Sequence, residues 1–436
     1  MNLPLANTRA RVVLLVCCGA LALLLGFLAV RNAIAAHYLG RDTREGYERA
    51  VRLEPHNPRN WYLLGRSYLY DLEQPDPVQA VSALRKSVEL DPYSAEAMLD
   101  LAIAYDGEGD TAQARATLVS AQRVYPLSAD VAWSYGNFLL RQGEQKAAFS
   151  QLHTALELDP KRAAEAFSRA SQLQPDASTV LDRVVPATPA TYVPILHMLS
   201  DAGDMETAQQ VWFRLIGLHQ KVPLREVVPF FDALIHERRP DQAARLWLQG
   251  VAIMENPPPD DPAGSLLWDG GFESGFRGGG FGWRFTPVSR DVQISFDRAE
   301  KHAGEQSLRI LFNGRENLKF EDACHSIVPE PGRSYLLAGW VKTQSLTSSE
   351  GVRLQINVFT NAGVVSTQSG EIHGTQPWTQ LQLVWTAPQE SGFGNVCIDR
   401  NMSDMPGSDI QGAAWIDDVV MIPVAGAAGA ALAPRP

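Results

Sequence analysis

The stretch SLLWDGGFESGFRGGGFGWRF, Ser265 to Phe285, divides the chain in two. Its glycines invite reading as a phosphate-cradling loop. However, Gly278, Gly279, Gly280 and Gly282 leave the last position of G-x-G-x-x-G empty, and no strand-then-helix pattern flanks them. The residues downstream decide the matter. VRLQINVF alternates Val352, Leu354, Ile356 and Val358 against Arg353, Gln355 and Asn357, and TQLQLVW alternates Leu381, Leu383 and Trp385 against Gln380 and Gln382. Period-two alternation marks strands with one buried face, and several of them roughly 10–20 residues apart predict an all-β sandwich. The glycine-rich stretch is then its first strand and loop.

Upstream the pattern is helical and repetitive. VRLEP, VELDP, RVYP and LELDP end at Pro55, Pro92, Pro126 and Pro160, a spacing of 37, 34 and 34 residues. Within the units, Trp61, Leu64, Gly65, Tyr68, Ala80, Leu84 and Ser87 are followed by Leu101, Ala102, Tyr105, Gly109, Ala114, Leu118 and Ala121. Tyr135, Gly136, Leu139, Gly143, Ala148, Leu152 and Ala155 come next, and Tyr47 and Ala50 form an incoming half unit. Small residues let paired helices approach, and each closing proline ends a helix one residue early. This pattern resembles the tetratricopeptide repeat. After Pro160 the register degrades, although Gly203, Ala208 and Trp212 recur as Arg239, Ala243 and Trp247. Four prolines between Glu255 and Gly264 end the helical region.

At the N-terminus, 19 uncharged residues, Val12 to Val30, stand between Arg11 and Arg31. At 1.5 Å per residue they span roughly 28 Å, a hydrocarbon core. Ala33-Ile34-Ala35 also fits a small-x-small cleavage site, so secretion after signal cleavage is the alternative to a retained anchor. Arg9 and Arg11 before the segment and Arg31, Arg41 and Arg44 after it leave the orientation undecided. The expected domains are a tail (1–11), a transmembrane anchor (12–30), repeats (40–175) and degenerate repeats (176–255). A Pro-rich linker (256–263), a β-sandwich (264–424) and a low-complexity tail (425–436) complete the chain. The fold class is multidomain α plus β: membrane helix, α-solenoid, and C-terminal jelly-roll sandwich.

In the repeat family the groove is lined from the first helix of each unit. That places Arg59, Tyr62, Arg66 and Tyr70, then Trp133, Asn137 and Arg141, on a protein-binding surface. Asp100 and Asp130 stand where a clamp for C-terminal carboxylates needs basic or amide groups, so chaperone-tail binding is not expected. The ordered motifs WDGGFESG, GEQSLRI, YLLAGWVKT, WTQLQLVWTAP and AAWIDDVVM (Trp268 to Met421) resemble carbohydrate-binding modules of the family 4/9 type, within the galactose-binding-like group. The resemblance implies a polysaccharide partner. It makes Trp340, Trp378 and Trp415 core residues, and a structural calcium at Glu273 with Asp417 or Asp418 is implied against a metal-free acidic pair. For sugar, the polar strand residues Arg353, Gln355, Asn357, Gln380 and Gln382 offer hydrogen-bonding groups, with Phe281 or Trp283 to stack on a ring.

The formal net charge is −11, and acidic residues outnumber basic ones in both regions, which argues against nucleic acid as a partner. There is no H-E-x-x-H, no G-x-S-x-G and no Cys/His cluster, so no enzyme activity and no required cofactor are expected. Only Cys324 and Cys397 lie outside the apolar run; the sequence does not show whether they meet. Together these features predict a single-pass envelope scaffold in the cytoplasmic membrane, with its C-terminal domains in the periplasm or outside. It would serve surface-polysaccharide biosynthesis or export. The alternative is a protein–protein assembly scaffold whose β domain binds no sugar.

Overall fold

The structure is a computed structural model. It describes residues 8–250, 253, 264–275, 278–286, 289–390, 392–405 and 408–424. The expected linker (256–263) and C-terminal tail (425–436), and most of the N-terminal tail, lie outside the described residues. The chain forms two compact units, residues 1–186 and 187–436.

The first unit is all helix: α1 (Thr8–Leu39), α2 (Arg44–Leu53), α3 (Pro58–Leu69), α4 (Pro77–Leu90), α5 (Ala95–Glu108), α6 (Thr111–Val124), α7 (Ala129–Arg141), α8 (Gln145–Leu158), α9 (Ala163–Leu173) and α10 (Ala177–Arg183). Arg11 to Leu39 of α1 is long and apolar enough to cross a membrane. Its last turns do something else. Ala35 is fully buried, and Leu39 packs with Tyr47, Val51 and Leu64, so the end of the apolar helix serves as first helix of the incoming half repeat.

Start signals recur with the repeat. Asp76, Ser94, Asp110 and Ser128 each accept a backbone N–H in the first turn of the following helix, which satisfies a donor that would otherwise be orphaned. Between paired helices the small residues act as anticipated: a Cβ on Gly65 would stand 2.5 Å from Leu84 Cγ. Leu84, Ala114, Leu152 and Ala155 are buried in the seams.

The second unit begins with α11 (Pro189–Asp201), α12 (Met205–Gly217), α13 (Leu224–His236) and α14 (Pro240–Gly250). Ala208 and Trp212 do match Ala243 and Trp247, all four being buried. The left-handed connector equivalent to Gly203 (φ +75°) is Arg238 (φ +58°), one residue before the expected Arg239. A non-glycine residue there hid the register in the sequence.

Ten strands complete the unit: β1 (Trp283–Phe285), β2 (Val292–Asp297), β3 (Ser307–Asn313), β4 (Phe320–Ile327), β5 (Ser334–Leu346), β6 (Val352–Thr360), β7 (Gly363–Ile372), β8 (Gly374–Thr386), β9 (Phe393–Arg400) and β10 (Gln411–Pro423). They form two five-stranded sheets, β1-β4-β9-β6-β7 and β2-β3-β10-β5-β8, antiparallel at every pairing. Val352, Leu354, Ile356 and Val358 enter one core with Leu308, Ile310, Ile398 and Ile416.

Candidate functional sites: a polar sheet face and a helical groove

Because β6 sends its even-numbered residues into the core, its odd-numbered ones share the outer face of the first sheet. Register extends that face across all five strands. Arg284 pairs with Cys324, Cys324 with Cys397, Cys397 with Gln355 and Gln355 with Gln368. Beside this row runs Ser326–Asn395–Asn357–Ser366, and on the other side Asp399–Arg353–Glu371. Cys324 and Cys397 are disulfide-bonded in the middle of the face.

Arg353, Gln355 and Asn357 are thus brought together as expected, but not as an open solvated surface. They are only 8%, 5% and 6% exposed, because neighbouring side chains enclose them in a network. Gln355 Nε2 donates to Asn357 Oδ1 (2.7 Å), Asn357 Nδ2 to Glu321 Oε1 (2.7 Å), and Gln368 Nε2 to Gln355 Oε1 (2.6 Å). Arg353 is held between Glu350 (2.7 Å), Glu371 (3.1 Å) and Asp399 (3.5 Å). Burial, with the negative charge of Glu321 beside it, raises the Asp399 carboxyl to about 6. Next to this network a cleft of about 190 Å³ is lined by Arg284, Thr286, Glu321, Asp322, Cys324, Ser326 and Asn395.

Two expectations for this face are corrected. Gln380 and Gln382 lie on β8, in the second sheet, and cannot join Gln355. Both are exposed, as alternation predicted; one-strand periodicity carries no information about which sheet a strand enters. Trp283 is 1% exposed, donates its Nε1–H to Asp269 O (3.0 Å) and packs on Phe272, so it stacks on protein and is closed to a ligand. Phe281 is likewise 6% exposed and lies against Trp247. The aromatic pair that does reach the face was missed in the sequence. Phe359 and Phe393 are register partners one row beyond Asn357–Asn395, their rings stacked at 5.7 Å, and Phe359 is 43% exposed. Phe359 stood in the quoted VRLQINVF stretch at the odd parity that marks the outer face. Glu321, Gln368 and Asp399 were also missed, since residues on other strands join the face only through register.

On the second sheet, Trp340 and Trp378 are half-buried rather than core residues, whereas Trp415 is buried as expected, at 4% exposed, though outside the cluster between the sheets. Trp415 lies under Arg309 and Lys342 and donates to Asp297 Oδ2 (2.9 Å), while His302 stacks on Trp340 at 4.1 Å.

Glu273, Asp417 and Asp418 converge on Gly271, whose added Cβ would lie 3.6–3.8 Å from all three side chains. Part of their capacity is spent on one loop. Glu273 Oε1 accepts from Glu305 N and Gln306 N, and Asp417 Oδ2 from His302 N and Ala303 N. Among the described residues, no three His, Cys, Asp or Glu side chains stand at metal-binding geometry.

In the helical groove, the expected residues link successive first helices. Tyr70 Oη donates to Asp100 Oδ1 (2.6 Å), and Arg66 lies over the Tyr62 and Tyr70 rings and 3.4 Å from Asp100. Arg141 pairs with Asp106 (2.8 Å). Trp133 is flanked by Arg162 and Arg169, and Asn137 accepts from Arg169 (2.8 Å). Arg59 faces the other way, lining a groove with Asn32 and Leu39 of α1. Removing any of these side chains therefore tests packing as well as recognition.

A protein-family model, Tetratricopeptide repeat, matches residues 71–134. The matched stretch, from just before α4 to the first turns of α7, is of tetratricopeptide-repeat type. Tetratricopeptide repeat protein 37 of Xenopus laevis is 30% identical over an alignment spanning 34% of this chain and only 11% of that relative's length. Among solved structures, the MamA protein is similar over 36% of this chain and 89% of its own, at 19% identity and a TM-score of 0.30. A family 16 carbohydrate binding module is similar over 36% of this chain and 99% of its own, at 15% identity and a TM-score of 0.28.

Proposed function

We propose that the protein is a non-enzymatic, membrane-tethered envelope scaffold. Its tetratricopeptide groove holds a protein partner, and its β-sandwich holds a polysaccharide on the outer face of the first sheet. The observation that carries the sugar reading is the face itself: buried amides, a guanidinium and carboxylates fixed by one another, ending at the stacked Phe359–Phe393 pair. Planar donors and acceptors that are already oriented exchange readily with sugar hydroxyls, and an exposed aromatic ring takes the apolar side of a pyranose. Export of this domain is supported by the disulfide, since such bonds persist in oxidising compartments. Retention of the anchor is supported by α1, which runs unbroken past the Ala33–Ala35 site into the repeat core. A role in making or exporting surface glycan fits this arrangement, and calcium at Glu273, Asp417 and Asp418 would brace the loop at 302–306.

The test is retardation of the full chain, in a non-glycosidic detergent, by soluble polysaccharides in a native gel, with calcium and with chelator. Binding should be weakened about fivefold by Phe359→Ala, as loss of an aromatic contact worth about 1 kcal/mol implies. If the folded chain binds none of a broad panel, the sugar reading is wrong. The β-sandwich would then serve protein assembly alone.

A further inference from the structure

The glycine-rich stretch has its explanation outside the sandwich, in the last helical hairpin of the same unit. Asp232, on α13, accepts from the backbone N–H of Gly280 (2.7 Å) and from Arg284 Nη2 (2.6 Å) through one oxygen, Oδ1. A Cβ on Gly279 would stand 2.2 Å from Asp232 Oδ2, and one on Gly280, at φ +61°, 2.6 Å from the Trp247 ring of α14. Only glycine allows this approach at both positions. Trp247 then closes edge-on to Trp268 (5.7 Å) and Phe281 (5.9 Å). The loop is therefore a clasp between helices and sandwich.

Arg284 gives the clasp a consequence for binding. It begins the row that continues through Cys324, Cys397 and Gln355, and it lines the cleft with Glu321 and Asn395. Left to itself, a half-exposed arginine on a three-residue edge strand samples many rotamers. Its ion pair with Asp232 reaches across to the helical hairpin.

We propose that α13 completes the glycan site: Asp232 is a positioning residue that holds the Arg284 guanidinium over the β1 end of the polar row, where it donates to sugar hydroxyls. This rests on the sugar reading above. It makes the site a joint product of the helices and the sandwich, with the helices setting where the bound chain ends.

The experiment uses the full chain and whichever of soluble xylan, mixed-linkage β-glucan or galactomannan retards the wild type most in native gels. Asp232→Asn keeps an oxygen for Gly280 N–H but removes the charge that holds Arg284. It should weaken binding about threefold while leaving the melting temperature close to wild type. Arg284→Ala should weaken it about tenfold, the range expected for one or two hydrogen bonds from a charged donor. In the Arg284→Ala background, Asp232→Asn should have no further effect on binding, a non-additivity that a purely structural clasp would not produce. Wild-type affinity in Asp232→Asn, or additive losses in the double variant, overturns the proposal while leaving the sugar reading in place. If the wild type binds none of the three probes and nothing in the broad panel, both fall together.

Discussion

The repeats and the sandwich solve the same problem, burying an apolar core, at different ranges along the chain. In the repeats α3 packs on α4 and α7 on α8, and Gly65 and its partner Leu84 are 19 residues apart. In the sandwich β3 pairs with β10, so that Leu308 lies beside Ile416, 108 positions away. Local pairing lets the first region be taken apart piecemeal, as nearest-neighbour arrays are. Distant pairing makes the second all-or-none, because no strand keeps its partners once one sheet opens.

The strongest way to break this contrast is to remove the one covalent cross-link. Cys324 and Cys397 close a loop of 73 residues, for which chain-entropy arguments give about 4 kcal/mol. Replacing both cysteines by serine should lower the melting temperature of the sandwich by about 10 °C. The melting of the first unit, followed by far-ultraviolet helical ellipticity, should stay put. A matching drop in the helical transition would mean that the two regions unfold as one.

A finer comparison applies the same chemical change to each region. Leu84 and Leu354 are both fully buried, and truncation to alanine costs about 3 kcal/mol at such sites. In the sandwich, Leu354→Ala should raise amide hydrogen exchange uniformly across β3 to β10. In the repeats, Leu84→Ala should raise it across α3 to α5 while α7 and α8 stay protected. Uniform loss in both would erase the distinction.

The same difference of range explains what the sequence disclosed. The repeats were legible because each contact lies within one period, so Gly65, Ala80 and Leu84 announce their packing by spacing alone. In the sandwich, the alternation of Val352 to Val358 revealed which residues face inward, and nothing more. It could not say that Gln355 meets Gln368 and Cys397 while Gln380 lies on the other sheet, since strand order is set by packing between segments far apart. Arg284 was hidden most completely. Its partner Asp232 lies 52 positions upstream, in a helix that sequence assigned to a different domain. The glycines at 279 and 280 were the visible trace of that contact, marking a close approach without naming what approaches.

The smallest expected effect concerns charge buried in each region. Desolvation raises both Asp100, in the groove, and Asp399, beneath the polar face; Asp399 moves from 3.8 to about 6. A folded-state value above the unfolded one means the native protein holds the proton more tightly. That contribution to stability is complete below about pH 4 and is lost as pH rises through about 6. Arg353 alongside Asp399 opposes the upward shift without cancelling it. Asp399→Asn should therefore flatten the decline of sandwich stability between pH 4 and pH 6.5 in urea unfolding. Arg353 would keep Glu350 and Glu371 as partners. Asp100→Asn should act in the same direction but be read only in the exchange of α3 and α5, where Tyr70 and Arg66 meet it. If Asp399→Asn leaves the pH slope unchanged, Arg353 neutralises the buried carboxylate across the whole range. The polar face would then be an ion-paired lattice rather than one with a protonated member near pH 5.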